Sequence, residues 1–513
     1  MKRFLLLCSS LFVFWSSSDT VFKRTFFSVI PPFNPTCPEL ISMNRDRLTY
    51  CCDFKKWFDV IVESGTSLDP WKTARYFYPH TCNSDKVLVG ELGSEAVKSG
   101  TADVIANYFN ILTDSMFITG DPANFTNYTF QSRISFKPTQ IFFAAALLYH
   151  QHLSRTQDKG WWFEFLVPIK WVKNNMHLTE EIITPGGPGG DDPQVPTGYM
   201  ANMKEAFKQS KFKFGKIDGP RSAGGLADPQ LRLGYTYFNH ESSHLSSYWG
   251  AIIPTSNKPE AEYIFEPIYG NNNHFGIFAA ASVGARIWRH CEKAIYWELD
   301  TSGILLMKNK QTRSFDLKDK TWGRYIWVYT DQTVTSTSPG INAFTKELEV
   351  TPGTSRDLNI AFVYECPCFQ VEGGYNYYGR QAEEVSLSKV WDSNVALASI
   401  LNNANEYQIG KGLADSAISR DASTVSDYLG VLNDLTEPLS GSATYKIIEQ
   451  CDLDLDSAAH PASVSHTFYL TFSYHWGGCV RPKYFGLGAI YSNGSDNTVL
   501  NQITIFSKFG MTF

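Results

Sequence analysis

The sequence has no internal apolar run long enough to cross a bilayer as a helix. Past the first fifteen residues, no stretch offers the roughly 18 consecutive apolar side chains that such a helix needs. If a membrane holds this chain, strands must do it. Charge is also sparse, at 19% of residues, and the net charge is −6. A chain without a basic surplus has no electrostatic footprint for nucleic acid, which is excluded as a partner. There are ten cysteines but no C-x-x-C pair. Cys51-Cys52 and Cys366-Pro367-Cys368 lack the spacing of zinc ribbons and fingers, so neither a metal nor any other cofactor is expected. Aromatics are abundant instead: 15% of the chain, with 36 Phe, 26 Tyr and 13 Trp. That is the composition of a protein with aromatic girdles at membrane interfaces.

The N-terminus predicts export. Lys2 and Arg3 precede an apolar run from Phe4 to Trp15, and Ser16 to Ser18 supply the small residues of a cleavage site. Residues 1–18 are therefore expected to be a signal peptide cut after Ser18, and loss of Lys2 and Arg3 takes the net charge from −6 to −8. Only Cys8 leaves with the leader, and the odd number remaining implies a thiol that is free or pairs between chains. Residues 19–100 show no clean period and are rich in Pro, Cys, Asp and Ser. They are expected to form a periplasmic or plug-like segment, cross-linked through Cys37, Cys51, Cys52 and Cys82.

The strand period of two then takes over. Asp103 to Ile111 is a candidate first strand. Phe130, Ile134 and Phe136 alternate with polar residues, and the phase flips at Pro138 to Ile141, Phe143, Ala145 and Leu147. A flip at a proline marks a turn or a bulge. Trp161, Phe163, Phe165, Val167, Ile169 and Trp171 form an unbroken stripe roughly 33 Å long at about 3.3 Å per residue. Tilted by ~40°, it covers about 25 Å of membrane height, with a Trp at each edge. Further stripes run over 231–237, 249–253, 275–287, 295–299, 325–329, 358–364, 371–377, 468–476 and 485–491. The last is Ile503, Ile505, Phe509, Met511 and Phe513. Two long stretches break the pattern: 176–227, read as a loop with no core of its own, and 383–463, where Val390–Ala404 suits an amphipathic helix and Tyr445–Glu449 a strand. The fold class predicted for 101–513 is all-β: a transmembrane antiparallel up-and-down barrel of about 14 strands, within a range of 12–16. Short turns near 155–160, 239–243 and 289–292 would then share one, periplasmic, end.

The terminal strand, with its alternating apolar residues and final Phe513, resembles the C-terminal closing strand of bacterial outer-membrane β-barrels. Leu231–Phe238, Tyr263–Gly270, Phe275–Trp288, Arg313–Leu317 and Gly374–Arg380 are likewise similar to segments of porin-like outer-membrane barrels. The resemblance runs from about Asp103 to Phe513. It implies the outer membrane as location, its lipid as surroundings, and an assembly machinery that reads Phe509, Met511 and Phe513. It is compatible with a homo-oligomer, such as a trimer. It implies no catalytic residues and no particular solute.

One enzyme-like motif occurs, His240-Glu241-Ser242-Ser243-His244, which matches H-E-x-x-H. Zinc hydrolysis needs that spacing on a helix, where both histidines reach one metal. Here strands flank it and serines fill it, so a hairpin turn is expected and no enzyme. The charged residues opposite the apolar stripes say more. Glu164, Lys170, Arg232, Arg286, Glu298, Arg324, Glu365, Glu372, Arg380 and Lys508 are the candidate lumen-facing set, since charge is tolerated inside a barrel and tunes its selectivity. Trp161, Trp171, Trp297, Trp327 and Trp476 are the candidate membrane girdle. Two functions follow: a passive channel for small hydrophilic solutes through a mixed-charge lumen, or a structural or adhesive barrel whose charges pair and close it, cross-linked through its odd cysteine.

Overall fold

The computed structural model describes residues 21–29, 33–43, 56–79, 86–90, 103–109, 111, 130–154, 158–185, 200–329, 337–391, 395–397, 448–477 and 482–513. Its frame is a closed antiparallel barrel of twelve strands, each hydrogen-bonded to its neighbours in the chain. They are β1 (Lys56–Leu68), β2 (Thr139–His152), β3 (Gly160–Asn175), β4 (Gln230–His240), β5 (Ser243–Ile252) and β6 (Gly276–His290). The second half is β7 (Lys293–Leu306), β8 (Ser355–Cys366), β9 (Phe369–Arg380), β10 (Ser463–Trp476), β11 (Lys483–Gly494) and β12 (Asn501–Thr512). β12 closes the ring on β1 through an unbroken register from Trp57↔Thr512 to Leu68↔Asn501. A thirteenth strand, Arg221–Leu226, lies outside the ring on the free upper half of β3. The count is thus twelve in the barrel, within the expected range of 12–16 and below its favoured fourteen.

Alternation explains the wall. On β10, Phe468, Leu470, Phe472 and Tyr474 are exposed, while Ser465, Thr467, Thr471 and Ser473 are buried. β2 repeats this with Ile141, Phe143 and Leu147 outside and Phe142, Ala144, Ala146 and Leu148 inside. A soluble sheet would bury such stripes; here they cover the outside of a ring with no sheet edge. That is the arrangement hydrocarbon demands, because each unpaired backbone group there costs several kcal/mol. Among the described residues no helix is long and apolar enough to cross a membrane. Inside, large aromatics sit over glycines directly opposite them on the next strand. Trp162 faces Gly234, Phe278 faces Gly250 and Phe506 faces Gly488. A Cβ on any of these glycines would come within 2.2 Å of the ring.

The two ends differ. At one end, β4–β5, β6–β7 and β8–β9 are joined by two-residue turns. At the other, the long connections build a cap with a hydrophobic core of its own. Phe109, Phe136, Phe207, Phe212, Trp322 and Tyr325 pack ring against ring there. Their backbone is organised in small sheets, one pairing 87–90, 104–105, 131–135 and 179–184 and another 309–314, 345–351 and 384–387.

The cap corrects several expectations. Asp103–Ile111 and Phe130–Phe136 are cap segments rather than barrel strands. The phase flip at Pro138 is the place where the chain leaves the cap sheet for β2. The stripe at 325–329 is also in the cap, as a 3-10 turn (Gly323–Tyr325) followed by the short strand Trp327–Tyr329. Part of 176–227 is not a coreless loop, since Met203, Ala206, Phe207, Phe212 and Ile217 belong to the cap core. Ala396–Leu397 pairs as a strand with Val328–Tyr329, against the helix expected over 390–404. Residues 398–447, and with them most of the helix and strand expected there, lie outside the described residues, as do the leader, Cys51, Cys52 and Cys82. In place of the lost strands, Lys56–Leu68 supplies β1 from a region with no clean period.

Candidate functional site

The lumen is occupied by the chain itself. Phe22 is held to the β11–β12 turn at the cap end through Asn497, and Phe27 is buried in the cap core. Residues Phe33 to Met43 then lie inside the barrel, including a single helical turn, Pro38–Ile41. Phe33, Cys37 and Leu40 pack on the inward side chains Ile61, Ala144, Ala146, Leu148 and Leu166. The segment descends from the cap end, where Phe33 meets Gln230, to the turn end, where Met43 packs on Tyr484. β1 then returns upward.

The wall holds this plug chiefly by its backbone. Gln230 Nε2 donates to Phe33 O at 2.7 Å and Tyr248 Oη to Pro35 O at 3.0 Å. Lys508 Nζ donates to Leu40 O at 2.7 Å and Ser42 O at 3.0 Å. Glu372 Oε2 accepts from Met43 N at 2.9 Å, and its Oε1 accepts from Tyr469 Oη at 3.1 Å. Thr36 Oγ1 meets Ser302 Oγ at 3.1 Å. Pro35 and Pro38 reduce the backbone donors that such a segment must satisfy.

Along the same inner wall, charges pair across neighbouring strands. Arg232 Nη1 donates to Glu164 Oε1 at 2.7 Å, and His150 Nδ1 lies 3.2 Å from Glu164 Oε2. Gln230 Oε1 accepts from Arg232 Nη2 at 2.8 Å. His244 Nε2 and Glu298 Oε2 are 3.3 Å apart. Trp57 stacks on His150 with ring centres 3.5 Å apart, and His150 stacks in turn on Trp162.

The ten candidate charges fall in four places. Glu164, Lys170, Arg232, Glu298, Glu372 and Lys508 are buried on the inward face of the wall. Arg286 and Glu365 are half-buried at the turn end, where Arg286 Nη1 reaches Glu241 Oε1 at 3.1 Å. Arg380 ends β9 at the cap base, beside His460. Arg324 is a correction: it sits in the cap, paired with Asp316 Oδ2 at 2.7 Å, because the stripe that placed it never enters the barrel. Trp161, Trp171 and Trp476 are exposed on the outer surface and Trp297 is half-exposed there. Trp327 is again a correction, lying on the short cap strand. Two more outer tryptophans are exposed outside the candidate girdle: Trp249, which heads the stripe read over 249–253, and Trp288, which the pattern missed because a bulge between Arg286 and Trp288 flips the phase. On β12, Phe509 and Met511 are half-exposed on the outer side, and Phe513, just past its end, is exposed.

The H-E-x-x-H sequence forms the β4–β5 hairpin. His240 is exposed and His244 points into the barrel, so the two do not share a metal. Glu241 instead pairs with Arg286 and Arg289. Among the described residues, no group of three His, Cys, Asp or Glu side chains could hold a metal ion.

No protein-family model and no curated protein matches the chain. Solved barrels do align with it. An outer membrane channel from Pseudomonas putida F1 is 10% identical over 90% of this chain and 96% of its own, with a TM-score of 0.38. The transport unit of the autotransporter AIDA-I from Escherichia coli is 8% identical over 90% of each chain, with a TM-score of 0.31. The CymD monoaromatic hydrocarbon channel is 8% identical over 93% and 92%, at 0.29. Likeness at this level adds nothing to what the strand pairing itself establishes: a closed barrel with an apolar outer face, the build of a bacterial outer-membrane protein.

Two features escaped the sequence pattern. Within residues 19–100, read as a periplasmic or plug-like segment, no period marked which residues enter the barrel, although the prolines between Pro31 and Pro38 were a usable signal. β1 was hidden in the same region, where Asp59 and Glu63 alternate with Phe58, Val60 and Val62.

Proposed function

We propose that the protein is an outer-membrane channel for small hydrophilic solutes, held closed by its own N-terminal segment. The observation that carries this is the polar hold of Gln230, Tyr248, Glu372 and Lys508 on the backbone of Phe33 to Met43. A barrel built only as scaffold can fill its interior with apolar side chains, as small barrels do. A water-compatible interface between plug and wall can part and re-form with water replacing each hydrogen bond. Passage is then passive diffusion along a wall of mixed charge, Glu164, Arg232, Glu298, Glu372 and Lys508, once the plug shifts. The turn end faces the periplasm in this reading and the cap faces outward. The assembly machinery engages Phe509, Met511 and Phe513.

Liposome swelling with sugar-sized solutes tests it. Intact protein should admit them slowly. The double variant Lys508→Met with Tyr248→Phe, which removes three wall-to-plug hydrogen bonds, should admit them several-fold faster. Equal rates from two correctly folded proteins would favour the closed, structural barrel.

A further inference from the structure

Between the plug and the wall lies a cavity of about 90 Å³. Two buried ionisable side chains of opposite type line it, with no hydrogen bond or ion pair between them. Glu63, on β1, is 2% exposed, and its Oε1 has no hydrogen-bond partner among the described residues. Lys170, on β3, is 3% exposed, and its Nζ lies 4.9 Å from the Phe142 ring centre. Among the described residues neither a hydrogen bond nor an ion pair holds Lys170. Asp357 of β8 also lines the space, with Asn376 beside its carboxylate.

A charge taken out of water without a close partner costs several kcal/mol. Two such groups of opposite type, lining one small space within electrostatic reach but without direct contact, are both better satisfied by something that bridges them. We propose that this cavity is a binding site for a small zwitterion of the α-amino-acid class. Its ammonium would meet Glu63 and its carboxylate Lys170. A simple anion fits worse, because Glu39, Glu63 and Asp357 share the lining. A simple cation fits worse, because Lys170 repels it. Size sets the rest. At the roughly 30 Å³ that a water occupies, about 90 Å³ holds about three waters, or a molecule near glycine in size. Val499, Leu500 and Ile490 offer a short apolar wall, and Ser492 and Thr504 offer hydroxyls. The site belongs to the plugged barrel and does not depend on conduction.

Isothermal titration of the full chain, folded in detergent, tests this with glycine, methylammonium and acetate as probes. Glycine should bind at least about tenfold more tightly than either half-molecule, since each of those leaves one buried charge unmet. Glu63→Gln and Lys170→Met should each weaken glycine by a similar factor. Absence of glycine binding to the folded wild type would overturn the proposal. So would methylammonium or acetate matching glycine, or an unchanged affinity in folded Glu63→Gln. The selectivity series uses wild-type protein alone, so it decides the matter even where a variant fails to fold.

Discussion

At the scale of single residues, the interior is governed by pairing. Glu164 is buried and held by both Arg232 and His150. Removing one partner of a buried ion pair strands the other charge, at about 3–5 kcal/mol. Glu164→Gln should therefore lower the unfolding free energy of the detergent-folded barrel by about that much, read from urea titration. A loss well under 1 kcal/mol would mean that water reaches Arg232. The cap base carries a second pairing. Burial alone would raise the Glu383 carboxyl, but Arg313, at 2.6 Å, and Arg380 outweigh it and hold it at about 2. Burial lowers His274 to about 4; burial, with Arg380 next, lowers His460 to about 3. All three folded-state values lie below the unfolded ones, about 4.3 for Glu and about 6.5 for His. Their contributions are complete above those unfolded values and are lost as pH falls through the window from about 6.5 to 2. The thermal midpoint of the cap should fall across that window, and Glu383→Gln should flatten its acid end. A midpoint constant from pH 7 to 3 would contradict this. These pairings were only partly legible. The wall charges could be placed from their position opposite apolar stripes, but Arg324 could not, because a stripe facing a cap core looks the same as one facing lipid.

At the scale of elements, the last strand shows what alternation can and cannot tell. Its outward set, Ile503, Ile505, Phe509, Met511 and Phe513, is readable directly, and its inward Lys508 fits a lumen. Its partner β1 was not readable. Its stripe of Phe58, Val60 and Val62 is short and lies after a Cys- and Pro-rich run that suggests irregular chain. The same ambiguity inflated the strand count, because segments 130–136 and 325–329 alternate as well as any barrel strand but pack in the cap. Phe513 is exposed at the turn end, and its N–H donates to Lys56 O across the closing seam. That N–H survives truncation of the ring. Phe513→Ala should therefore impair membrane insertion in cells while leaving the refolded barrel's stability within about 0.5 kcal/mol. Normal insertion of that variant would show that the terminal ring is not read during assembly.

For the whole molecule, the barrel was legible; of its contents only a plug-like alternative for residues 19–100 was read, without the residues that enter the lumen. Wall strands announce themselves because lipid on one side and a polar interior on the other impose a period of two. A plug has no such solvent boundary, so Phe33 to Met43 carry no period, and the cap mixes segments from distant parts of the chain into one core. Together these make a barrel blocked along its axis and covered at one end. In the proposed channel the N-terminal segment, and not collapse of the wall, closes the lumen. Single-channel recording in planar bilayers tests that claim most directly, comparing the intact chain with one lacking residues 33–43. The intact protein should give rare, brief openings, and the deletion long-lived steps of uniform size. A folded deletion protein that stays silent, or an intact protein that conducts as steadily as the deletion, would contradict it.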